Sequence, residues 1–450
     1  FRAYDYRGVY PDEINAEIVY AMARAFTRYT KATSMLIGRD ARCMNPELYE
    51  AAVKGVTEEG ANVINLGLIT TDMLYYAAGV KNLPGFSITA SHNPPEYSGM
   101  KMIKAGAEAL SKDSGLYDIR DLAIQLVETP EPPMETIGSK TDADLLPGYL
   151  DHVLSFIDPT AIKPMKIVAN TMYGVASNVV TALAKRLPLE IIPLNFEIDG
   201  TYPKGSPNPM IEHLRQETTD LVRSSNVAFG VAWDGDADRV FFWDEGGKFI
   251  EGYFAGVLMA DSLLKKAKQP GEKVLHCVRL SWLFDQVPAA AGGVPLQSKT
   301  GHGYIKEMMR GENALFAEEM SGHYYFRDNY YADNGMIPFL IVLELLSVTG
   351  QSLSQLLARY YSSITISGEI NFRVGDPKAV TERITAHYAG QATPNTLDGV
   401  TMEFVDWRFN VRLSNNEPLL RLNVEGRSRA VVDAKTAELI NLIDGERVKE

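Results

Sequence analysis

The stretch that decides the fold class is "SMLIGRDARCMNPELYEAAVKGVTEEGANVINLGLITT", residues 34–71. Its first seven residues form a short apolar run that is typical of a buried strand. From Asn45 the apolar residues recur at helical spacing, and Gly60 stands where such a helix would stop. A second strand-like run, "NVINLGLITT", follows. This strand–helix–strand order predicts a βαβ unit, and therefore an α/β protein with its sites at strand ends.

The same rhythm recurs along the chain, at residues 165–187, 227–245 and 273–309. Between the first two blocks, "VETPEPPMETIGSKTDADLLPG" (residues 127–148) has the proline and acid content of a linker. Beyond about residue 366 the character changes to strands such as "WRFNVRLS" and a final helix from about Ala430. We therefore predict four domains, three α/β domains and a smaller C-terminal α+β domain, at residues 1–143, 144–247, 248–366 and 367–450.

The composition limits which binding partners and which cellular compartment we expect for this chain. The chain has 450 residues and a net charge of −13, which argues against nucleic-acid and anionic-membrane surfaces because these need clustered Lys and Arg. Cys43 and Cys277 are too few for a disulfide framework and favour a reducing compartment. The longest apolar run, from Met336 to Val348, contains Glu344 and is too short to cross a bilayer. We expect a cytoplasmic protein with small-molecule partners.

The motif "TASHNPPEYSGMK", residues 89–101, follows the strand-like run "LPGFSIT". Its prolines predict a stiff loop that presents Ser91. Two chemical uses are open. His92 beside Ser91 suggests a hydrolase, although neighbouring residues rarely place nucleophile and base correctly and no G-x-S-x-G elbow is present. Alternatively Ser91 carries a phosphoryl group, and Lys101 transfers a proton or contacts phosphate.

A second motif, "DGDADR", supplies Asp234, Asp236 and Asp238 at alternating positions. On an extended backbone these side chains point the same way, and a divalent cation would relieve the repulsion between their charges. Oxygen-only ligands favour Mg²⁺. The alternative is a solvated acidic turn, which the apolar flanks disfavour; an EF-hand loop would not accommodate the strand-like "VFFW". Arg239 suits a phosphate held against the metal, or a salt bridge with an aspartate.

Three further groups of residues are candidates for ligand binding. Glu319, Ser321 and His323 alternate in "EEMSGHYYF" and suit adjacent hydroxyl groups, or else form the polar face of a half-buried strand. His302 in "KTGHGYIK" is either functional or structural. The segment "RLSNNEPLLR" is either a phosphate cradle or an ordinary turn with surface arginines, and its polar candidates are Arg412, Ser414, Asn415, Asn416 and Arg421.

The motifs "TASHNPPEYSGMK", "DGDADR", "EEMSGHYYF" and "RLSNNEPLLR" occur in the order of the four signature motifs of the α-D-phosphohexomutase superfamily, which the whole chain resembles. "FRAYDYRG" at the start, "KTGH", "VRLSW" and "SGEIN" add to the resemblance, which is strongest with the bacterial phosphomannomutases of GDP-mannose synthesis. The resemblance implies three related α/β domains with mixed sheets and a smaller α+β domain around a central active-site cleft. It also implies Mg²⁺, a phosphoserine at Ser91, and a hexose 1,6-bisphosphate as intermediate and activator.

The resemblance also assigns roles to individual residues. Ser91 donates and accepts the phosphoryl group and joins Asp234, Asp236 and Asp238 at the metal. For proton transfer or charge stabilisation it nominates Arg7, Lys101 and His302. Arg239 joins these catalytic candidates because of its place directly after the aspartates. The remaining positions are substrate-binding: Tyr4, Arg279, Glu319, Ser321 and His323, and, for the phosphate that is not transferred, Arg412, Ser414, Asn415, Asn416 and Arg421.

Three positions depart from the pattern of the superfamily. Glu318 replaces a glycine, Asn416 a threonine, and Arg279 a lysine found in many relatives. We expect a phosphomannomutase that interconverts mannose 6-phosphate and mannose 1-phosphate. The alternatives are a phosphoglucomutase or dual-specificity enzyme, a non-catalytic phosphosugar-binding protein, and a metal-dependent phosphatase.

Overall fold

The computed structural model describes residues 5–414 and 419–448. Within it the chain forms two compact units. The first unit comprises the described residues up to Ile250 together with Ser321–Ser352. The second unit comprises Glu251–Met320 and the described residues from Leu353 onward. The boundaries of the four predicted domains stay a prediction.

The N-terminal part of the first unit is a seven-stranded mixed sheet in the order β1-β5-β4-β2-β3-β7, with β6 beside β5. Strands β4, β2, β3 and β7 are parallel, and β5 is antiparallel to β4 and β1. The elements are β1 (Tyr6–Val9), α1 (Ala16–Thr30), β2 (Ser34–Arg39), α2 (Asn45–Glu58), β3 (Asn62–Leu68), α3 (Thr71–Lys81), β4 (Gly85–Ile88), β5 (Tyr97–Lys104), β6 (Glu108–Ala109), α4 (Leu116–Glu128) and β7 (Lys140–Asp142).

Residues 34–71 fold as the predicted βαβ unit. Helix α2 begins with Pro46 in its first turn, a position that proline tolerates, and its buried residues, including Leu48 and Val56, pack in the core of this sheet. The predicted linker differs from expectation, because Lys140–Asp142 within it pairs with β3 as a parallel edge strand. A proline-rich composition did not indicate this strand, since three exposed residues carry no apolar pattern.

A second mixed sheet follows in the first unit, in the order β12-β11-β10-β8-β9. Strand β8 is parallel to both β9 and β10, while β11 is antiparallel to β10 and β12. The elements are α5 (Leu146–Leu154), β8 (Met165–Asn170), α6 (Ala176–Ala184), β9 (Leu189–Leu194), α7 (Glu212–Ser224), β10 (Gly230–Trp233), β11 (Val240–Trp243) and β12 (Phe249–Ile250).

The next stretch of chain contributes to both units. The second unit contains α8 (Gly252–Lys266), β13 (Lys273–Cys277), α9 (Trp282–Ala290), β14 (Val294–Ser298), α10 (His302–Glu312) and β15 (Phe316–Glu319), with β13 parallel to β14 and β15. The first unit contains the antiparallel pair β16 (His323–Phe326) and β17 (Ala332–Asp333), followed by α11 (Met336–Thr349). Helix α11 is buried over most of its length, as predicted for this apolar run.

The C-terminal part of the second unit is an antiparallel sheet in the order β19-β20-β21-β18-β22, together with three helices. Its elements are α12 (Leu353–Ser363), β18 (Thr365–Arg373), α13 (Pro377–His387), β19 (Val400–Glu403), β20 (Trp407–Leu413), β21 (Leu420–Gly426), α14 (Arg429–Ile443) and β22 (Glu446–Val448). Mixed sheets followed by this α+β part confirm the predicted α/β class. In the described chain no single helix is long and apolar enough to cross a membrane, although α11 and α12 taken together would pass on length and composition.

Candidate active site

The loop after β4 presents Ser91 in an unusual backbone conformation. Ser91 has a φ of 52°, in the left-handed region that residues other than glycine seldom occupy. Its side chain is buried, and its Oγ donates a hydrogen bond of 2.8 Å to Asp234 Oδ2. The His92 ring nitrogen Nδ1 lies 3.1 Å from the same Oγ. The serine hydroxyl therefore lies directly beside the acidic motif.

The three aspartates come together at the end of β10, within 4.8 Å of one another. They lie on a turn, not on the extended backbone that we predicted, and Ala237 at a φ of 62° reverses the chain between Asp236 and Asp238. All three carboxylates are buried. Burial excludes the alternative of a solvated acidic turn.

Burial and mutual repulsion dominate the electrostatics of this group. Burial, with the charges of Asp236 and Asp238, raises the pKa of Asp234 to about 8. The Lys101 ammonium donates a bond of 2.7 Å to Asp236 Oδ2 and a short one to Asp238. Burial would lower the pKa of Lys101, but these two carboxylates raise it. Lys101 is therefore a charged partner of the aspartates, and Thr71 adds a 2.6 Å bond to Asp236.

The donor set fits a divalent metal ion. In the described chain, Oδ1 of Asp236 and Oδ1 of Asp238 are buried and accept no hydrogen bond. A buried carboxylate oxygen without a donor is costly, and a cation would satisfy both. The donors are all oxygens, as hard divalent cations prefer. The residues that would hold the ion are Asp234, Asp236 and Asp238.

Basic side chains surround Ser91 and the aspartates. Arg7 donates to Asp5 at 2.8 Å, to the Ala90 carbonyl at 3.0 Å and to Asn93 at 2.7 Å, which places its charge against the Ser91 loop. In a separate contact, Arg239 Nε lies 3.7 Å from an oxygen of Asp234, so the salt-bridge alternative for this residue is observed. The positive charges of Arg7 and Arg239 can therefore offset the negative charge of a phosphate bound beside the three aspartates.

His323 joins this group of basic side chains in the first unit. Its Nε2 accepts a bond of 3.3 Å from Arg239 Nε and lies 3.6 Å from Asp238 Oδ1. Its Nδ1 lies 3.0 Å from the Ser321 hydroxyl. The structure thus places two predicted sugar-binding residues, Ser321 and His323, beside the turn of residues 234–238, which we call the metal-binding turn.

The hydrolase alternative predicts a third residue that orients His92. In residues 5–414 and 419–448 no carboxylate hydrogen-bonds to the His92 ring, and Asp234 binds the serine itself. Burial and the charges of Arg239 and Arg7 lower the pKa of His92 well below its usual value. The described residues therefore contain no Ser–His–Asp triad at Ser91.

The second unit holds a cluster of three arginines around one glutamate. Glu369 on β18 accepts bonds from Arg279 at 2.9 Å and Arg421 at 2.7 Å, and Arg412 lies 4.0 Å away. Burial would raise the pKa of Glu369, but the charges of Arg279, Arg421 and Arg412 lower it to about 2. The three guanidinium groups outnumber the carboxylates of Glu369 and of Glu319, which lies 3.8 Å from Arg279. The excess of positive charge suits an anionic ligand.

The remaining candidates are placed as follows. Glu319 is the last residue of β15, and its Oε1 lies 3.8 Å from Arg279 Nη2. A turn with Gly322 at a φ of 88° follows, so Glu319 does not share a strand with His323, as the alternating pattern had suggested. His302 begins α10, and Ser414 follows β20. Three predicted residues lie outside the described chain: Tyr4, Asn415 and Asn416.

Two functional candidates were not predicted. Glu369 lies in "SGEIN", a stretch that contributed to the resemblance but was given no role. Thr71 has no motif at all, and its contact with Asp236 depends on chain segments 165 residues apart. Only the folded arrangement brings these residues to the site.

Comparison with protein families gives one consistent assignment along the chain. Four profiles match in order, described as phosphoglucomutase/phosphomannomutase α/β/α domain I (residues 1–121), domain II (147–247), domain III (251–363) and C-terminal domain (369–442). With the serine, the acidic turn and the arginine cluster, these matches define the class: the chain is a phosphohexomutase, an isomerase.

Full-length relatives place the chain more closely. It is 42% identical to "Phosphohexose mutases" of Xanthomonas campestris pv. campestris over 99% of both chains. It is 41% identical to a phosphomannomutase of Salmonella montevideo, over 99% of this chain and 98% of the relative. A phosphoglucomutase/phosphomannomutase family protein of Burkholderia thailandensis has a TM-score of 0.87 at 28% identity, covering 99% of this chain and 98% of that one. The chain belongs to the phosphoglucomutase/phosphomannomutase family of the α-D-phosphohexomutase superfamily and is phosphomannomutase-like.

Proposed function

We propose that the chain is a phosphomannomutase that interconverts mannose 6-phosphate and mannose 1-phosphate through a phosphoserine at Ser91. The observation that carries the proposal is the 2.8 Å bond between the Ser91 hydroxyl and Asp234, within a group of three buried aspartates. The choice of mannose rests on relatives of 39–42% identity over nearly the whole chain, several of which are phosphomannomutases.

The reaction consists of two phosphoryl transfers. In the first, the bond between phosphorus and Ser91 Oγ breaks, and a new bond forms from phosphorus to the free hydroxyl oxygen of the hexose monophosphate. The proton of that hydroxyl passes to a base, and the product is a hexose 1,6-bisphosphate. In the second, the bond between the other phosphorus and its sugar oxygen breaks, a bond forms from that phosphorus to Ser91 Oγ, and the sugar oxygen takes back the proton from the base. The enzyme is thereby regenerated, and the phosphate has changed position.

Catalysis of phosphoryl transfer is mostly positioning and charge neutralisation. Mg²⁺ held by Asp234, Asp236 and Asp238 with the serine phosphate would supply the positive charge that neutralises the transferring group. Lys101 and Arg7 contribute positive charge near Ser91, and either, once deprotonated, is a candidate to accept the sugar proton. His302 remains a third candidate for this role.

In the second unit, we assign the phosphate that is not transferred to the arginine cluster of Arg279, Arg412 and Arg421. Glu369 holds these arginines in place and offsets part of their mutual repulsion. Glu319 accepts hydrogen bonds from sugar hydroxyl groups. We also extend the proposal to Asn415 and Asn416, as further donors to this phosphate, and to Tyr4 at the substrate.

A matched pair of serine variants tests the covalent step. After incubation with a hexose 1,6-bisphosphate, the wild-type protein should gain one phosphate on Ser91, detected by mass spectrometry. Ser91→Ala should lose both the phosphate and nearly all turnover of mannose 1-phosphate. Ser87→Ala is the control, because Ser87 is a buried serine on the preceding strand β4. Wild-type rates in Ser91→Ala would exclude the phosphoserine mechanism.

The products distinguish the competing activities. A mutase converts mannose 1-phosphate to mannose 6-phosphate, a phosphatase releases free mannose, and a binding protein leaves the sugar unchanged. The ratio of kcat/KM for mannose 1-phosphate and glucose 1-phosphate separates a phosphomannomutase from a phosphoglucomutase or a dual enzyme. A higher kcat/KM for glucose 1-phosphate would contradict the proposed sugar.

We further propose a cytoplasmic role in supplying mannose 1-phosphate for GDP-mannose synthesis, with a hexose 1,6-bisphosphate as activator. Activation has a direct test, since catalytic amounts of the bisphosphate should shorten the lag of protein from which the serine phosphate has been removed. An unchanged lag would contradict this part of the proposal.

A further inference from the structure

We propose that Arg42 is a positioning residue for phosphoryl transfer, and that it fixes the backbone of residues 91–97, the serine loop. The inference rests on the proposed function, because it concerns the loop that would carry the phosphoryl group. Arg42 lies between β2 and α2 in "GRDARC", a stretch with no predicted role in the site. Its side chain is completely buried.

Four carbonyl oxygens of the serine loop accept hydrogen bonds from this one guanidinium group. Nη1 donates to the carbonyls of Pro94 at 2.6 Å and Tyr97 at 2.9 Å. Nη2 donates to those of Ser91 at 2.7 Å and Asn93 at 2.8 Å. The planar fork of arginine presents several donors at fixed angles, whereas a lysine ammonium presents three from one atom. The arrangement therefore requires arginine specifically.

The serine loop needs such support because Ser91 has the left-handed φ of 52°. A non-glycine residue keeps this conformation only where its surroundings over-determine it. The Ser91 amide donates to Thr89 Oγ1 at 2.9 Å, and that hydroxyl donates to Asp40 at 2.6 Å. Asp40 in turn lies 3.4 Å from Arg42 Nε. Both backbone polar groups of Ser91 are thus linked to the Asp40–Arg42 pair.

The same arginine also contacts the chain that borders the metal-binding turn. Its guanidinium carbon lies over the ring of Tyr202, 5.2 Å from the ring centre. A Cβ atom at Gly235 would lie 2.7 Å from the Ser91 carbonyl oxygen and 3.0 Å from the Tyr202 hydroxyl. The serine loop and the metal-binding turn are therefore in direct contact, and a displaced serine loop would change the distance between Ser91 Oγ and Asp234.

Arg24 provides a matched control in the same unit. It is also buried, and it also donates to backbone carbonyls, those of Glu131 at 2.7 Å and Pro132 at 3.2 Å, as well as to Glu59. The two carbonyls lie in the segment after α4 and Glu59 directly follows α2, so none of these contacts touches a proposed site residue. Replacing either arginine removes a buried network of the same kind, but only Arg42 is tied to Ser91.

The experiment compares Arg42→Lys, Arg42→Met and Arg24→Met in steady-state turnover of mannose 1-phosphate, well below the unfolding temperature of each variant. For both Arg42 variants we expect kcat to fall about 100-fold, the loss expected when a reacting group is displaced by about 1 Å. We expect KM to change less than about threefold, because ground-state contacts to the second phosphate are retained. Arg24→Met should lose thermal stability but keep its kcat.

A second pair of variants keeps the inference testable if the Arg42 variants do not fold. Thr89→Val removes the acceptor of the Ser91 amide with little change of shape, and Thr89→Ser retains it. We expect about a tenfold loss of kcat in Thr89→Val, which breaks the hydrogen bonds to the Ser91 amide and to Asp40, and near wild-type kcat in Thr89→Ser.

Two results would overturn the inference. One is Arg42 variants that lose stability like Arg24→Met but keep wild-type kcat. The other, decisive if the Arg42 variants do not fold, is Thr89→Val with unchanged kcat. Failure of the proposed function is a different observation, because the wild-type protein itself would then not isomerise mannose 1-phosphate.

Discussion

At the scale of single residues, charge decides the properties of the metal-binding turn. Asp236→Asn removes one negative donor with little change of size, so we expect affinity for divalent cations to fall about tenfold or more. Mn²⁺ binding by calorimetry and the Mg²⁺ dependence of turnover measure the effect. Asp244→Asn is the control, because Asp244 is a buried aspartate near β11 whose carboxylate accepts backbone amides instead. Equal metal affinity in the two variants would contradict the assignment.

Glu318 is the second residue whose charge has measurable consequences. It lies on β15, fully buried, and within the described chain neither of its carboxylate oxygens has a hydrogen-bond partner. Burial raises its pKa to about 8 from an ordinary 4.5, against the opposing effect of Arg279 and reinforced by Glu319. In the folded protein the carboxyl of Glu318 is therefore neutral at pH 7. This is the position at which the pattern of the superfamily has a glycine.

The raised pKa of Glu318 predicts a pH dependence of stability. Between about pH 4.5 and pH 8 the unfolded chain releases this proton and the folded protein keeps it, so the free energy of unfolding should fall as pH rises, by about 1.4 kcal/mol per pH unit from this group. Glu318→Gln should remove that contribution and be more stable than wild type at pH 8. Urea unfolding at several pH values measures it. Parallel stability curves for the two proteins would show the prediction to be wrong.

Single-residue predictions from the sequence succeed where the site is local. Ser91 lies in one short motif and the three aspartates lie in another, so the local sequence was enough to predict them as site residues. The ion-pair cluster around Arg279 was not predictable in this way. Arg279 and Arg421 both donate to Glu369, and the latter two residues come from strands far along the chain. A site whose ion pairs join residues that are far apart in the chain shows no characteristic spacing in the sequence.

At the scale of elements, the turn after β10 and the loop after β4 pack without spare room. Gly235→Ala would place a methyl group 2.7 Å from the Ser91 carbonyl oxygen and 2.8 Å from Pro207. Since backbone must then shift, we expect a loss of about 1–3 kcal/mol in stability, typical of overpacking, and a large fall in kcat. Chemical denaturation and turnover of mannose 1-phosphate measure both effects.

Gly311→Ala is the control for this substitution. Gly311 lies in helix α10, and, apart from its chain neighbours and the backbone of its own helix, none of the described atoms would come within 4 Å of an added Cβ. Alanine in a helix interior is favoured over glycine by about 1 kcal/mol, so this variant should be at least as stable as wild type and fully active. Equal kcat in Gly235→Ala and Gly311→Ala would contradict the close approach of the two loops.

Elements were predictable where apolar periodicity was strong. The βαβ unit of residues 34–71 and the buried helix α11 follow the apolar pattern of their sequences. The turn at Asp234–Asp238 was predicted as extended, because alternation of aspartates says nothing about the left-handed φ at Ala237. Strand β7 was missed because its pairing with β3, and not its own composition, makes it a strand.

At the scale of the whole molecule, the proposed chemistry is divided between the two units. Arg421 in the second unit would bind the phosphate that stays in place, a contact present in the ground state and retained during transfer. Arg421→Ala should therefore raise KM for mannose 1-phosphate about ten- to hundredfold, the value of one charge-assisted phosphate contact, with a smaller effect on kcat. Variants of Ser91 in the first unit should mainly lower kcat.

The control for Arg421 is Arg429→Ala, an exposed arginine at the start of α14 that pairs with Asp433. It leaves the net charge equal to that of Arg421→Ala but touches none of the arginine cluster. We expect its KM to be that of the wild type. An unchanged KM in Arg421→Ala would require the phosphate to be bound elsewhere.

The α/β class was predictable because each block of the chain has its own alternation of apolar strand-like runs and amphipathic helices. The grouping of Ser321–Ser352 with the first unit was not, since it depends on which surfaces pack together and not on position in the chain. The domain boundaries at residues 143, 247 and 366 stay predictions.

Lys101 has a further consequence for handling the protein. Its ammonium group bonds to two of the three carboxylates and acts as a built-in counter-ion. Treatment with EDTA should therefore abolish turnover and leave the melting temperature almost unchanged, whereas Lys101→Met should make the melting temperature depend on added Mg²⁺. Thermal scans with and without chelator compare the two proteins, and a chelator-induced collapse of the wild type would contradict this. A site that keeps its shape while empty can exchange its cation repeatedly, so inactivation by chelation should be fully reversible.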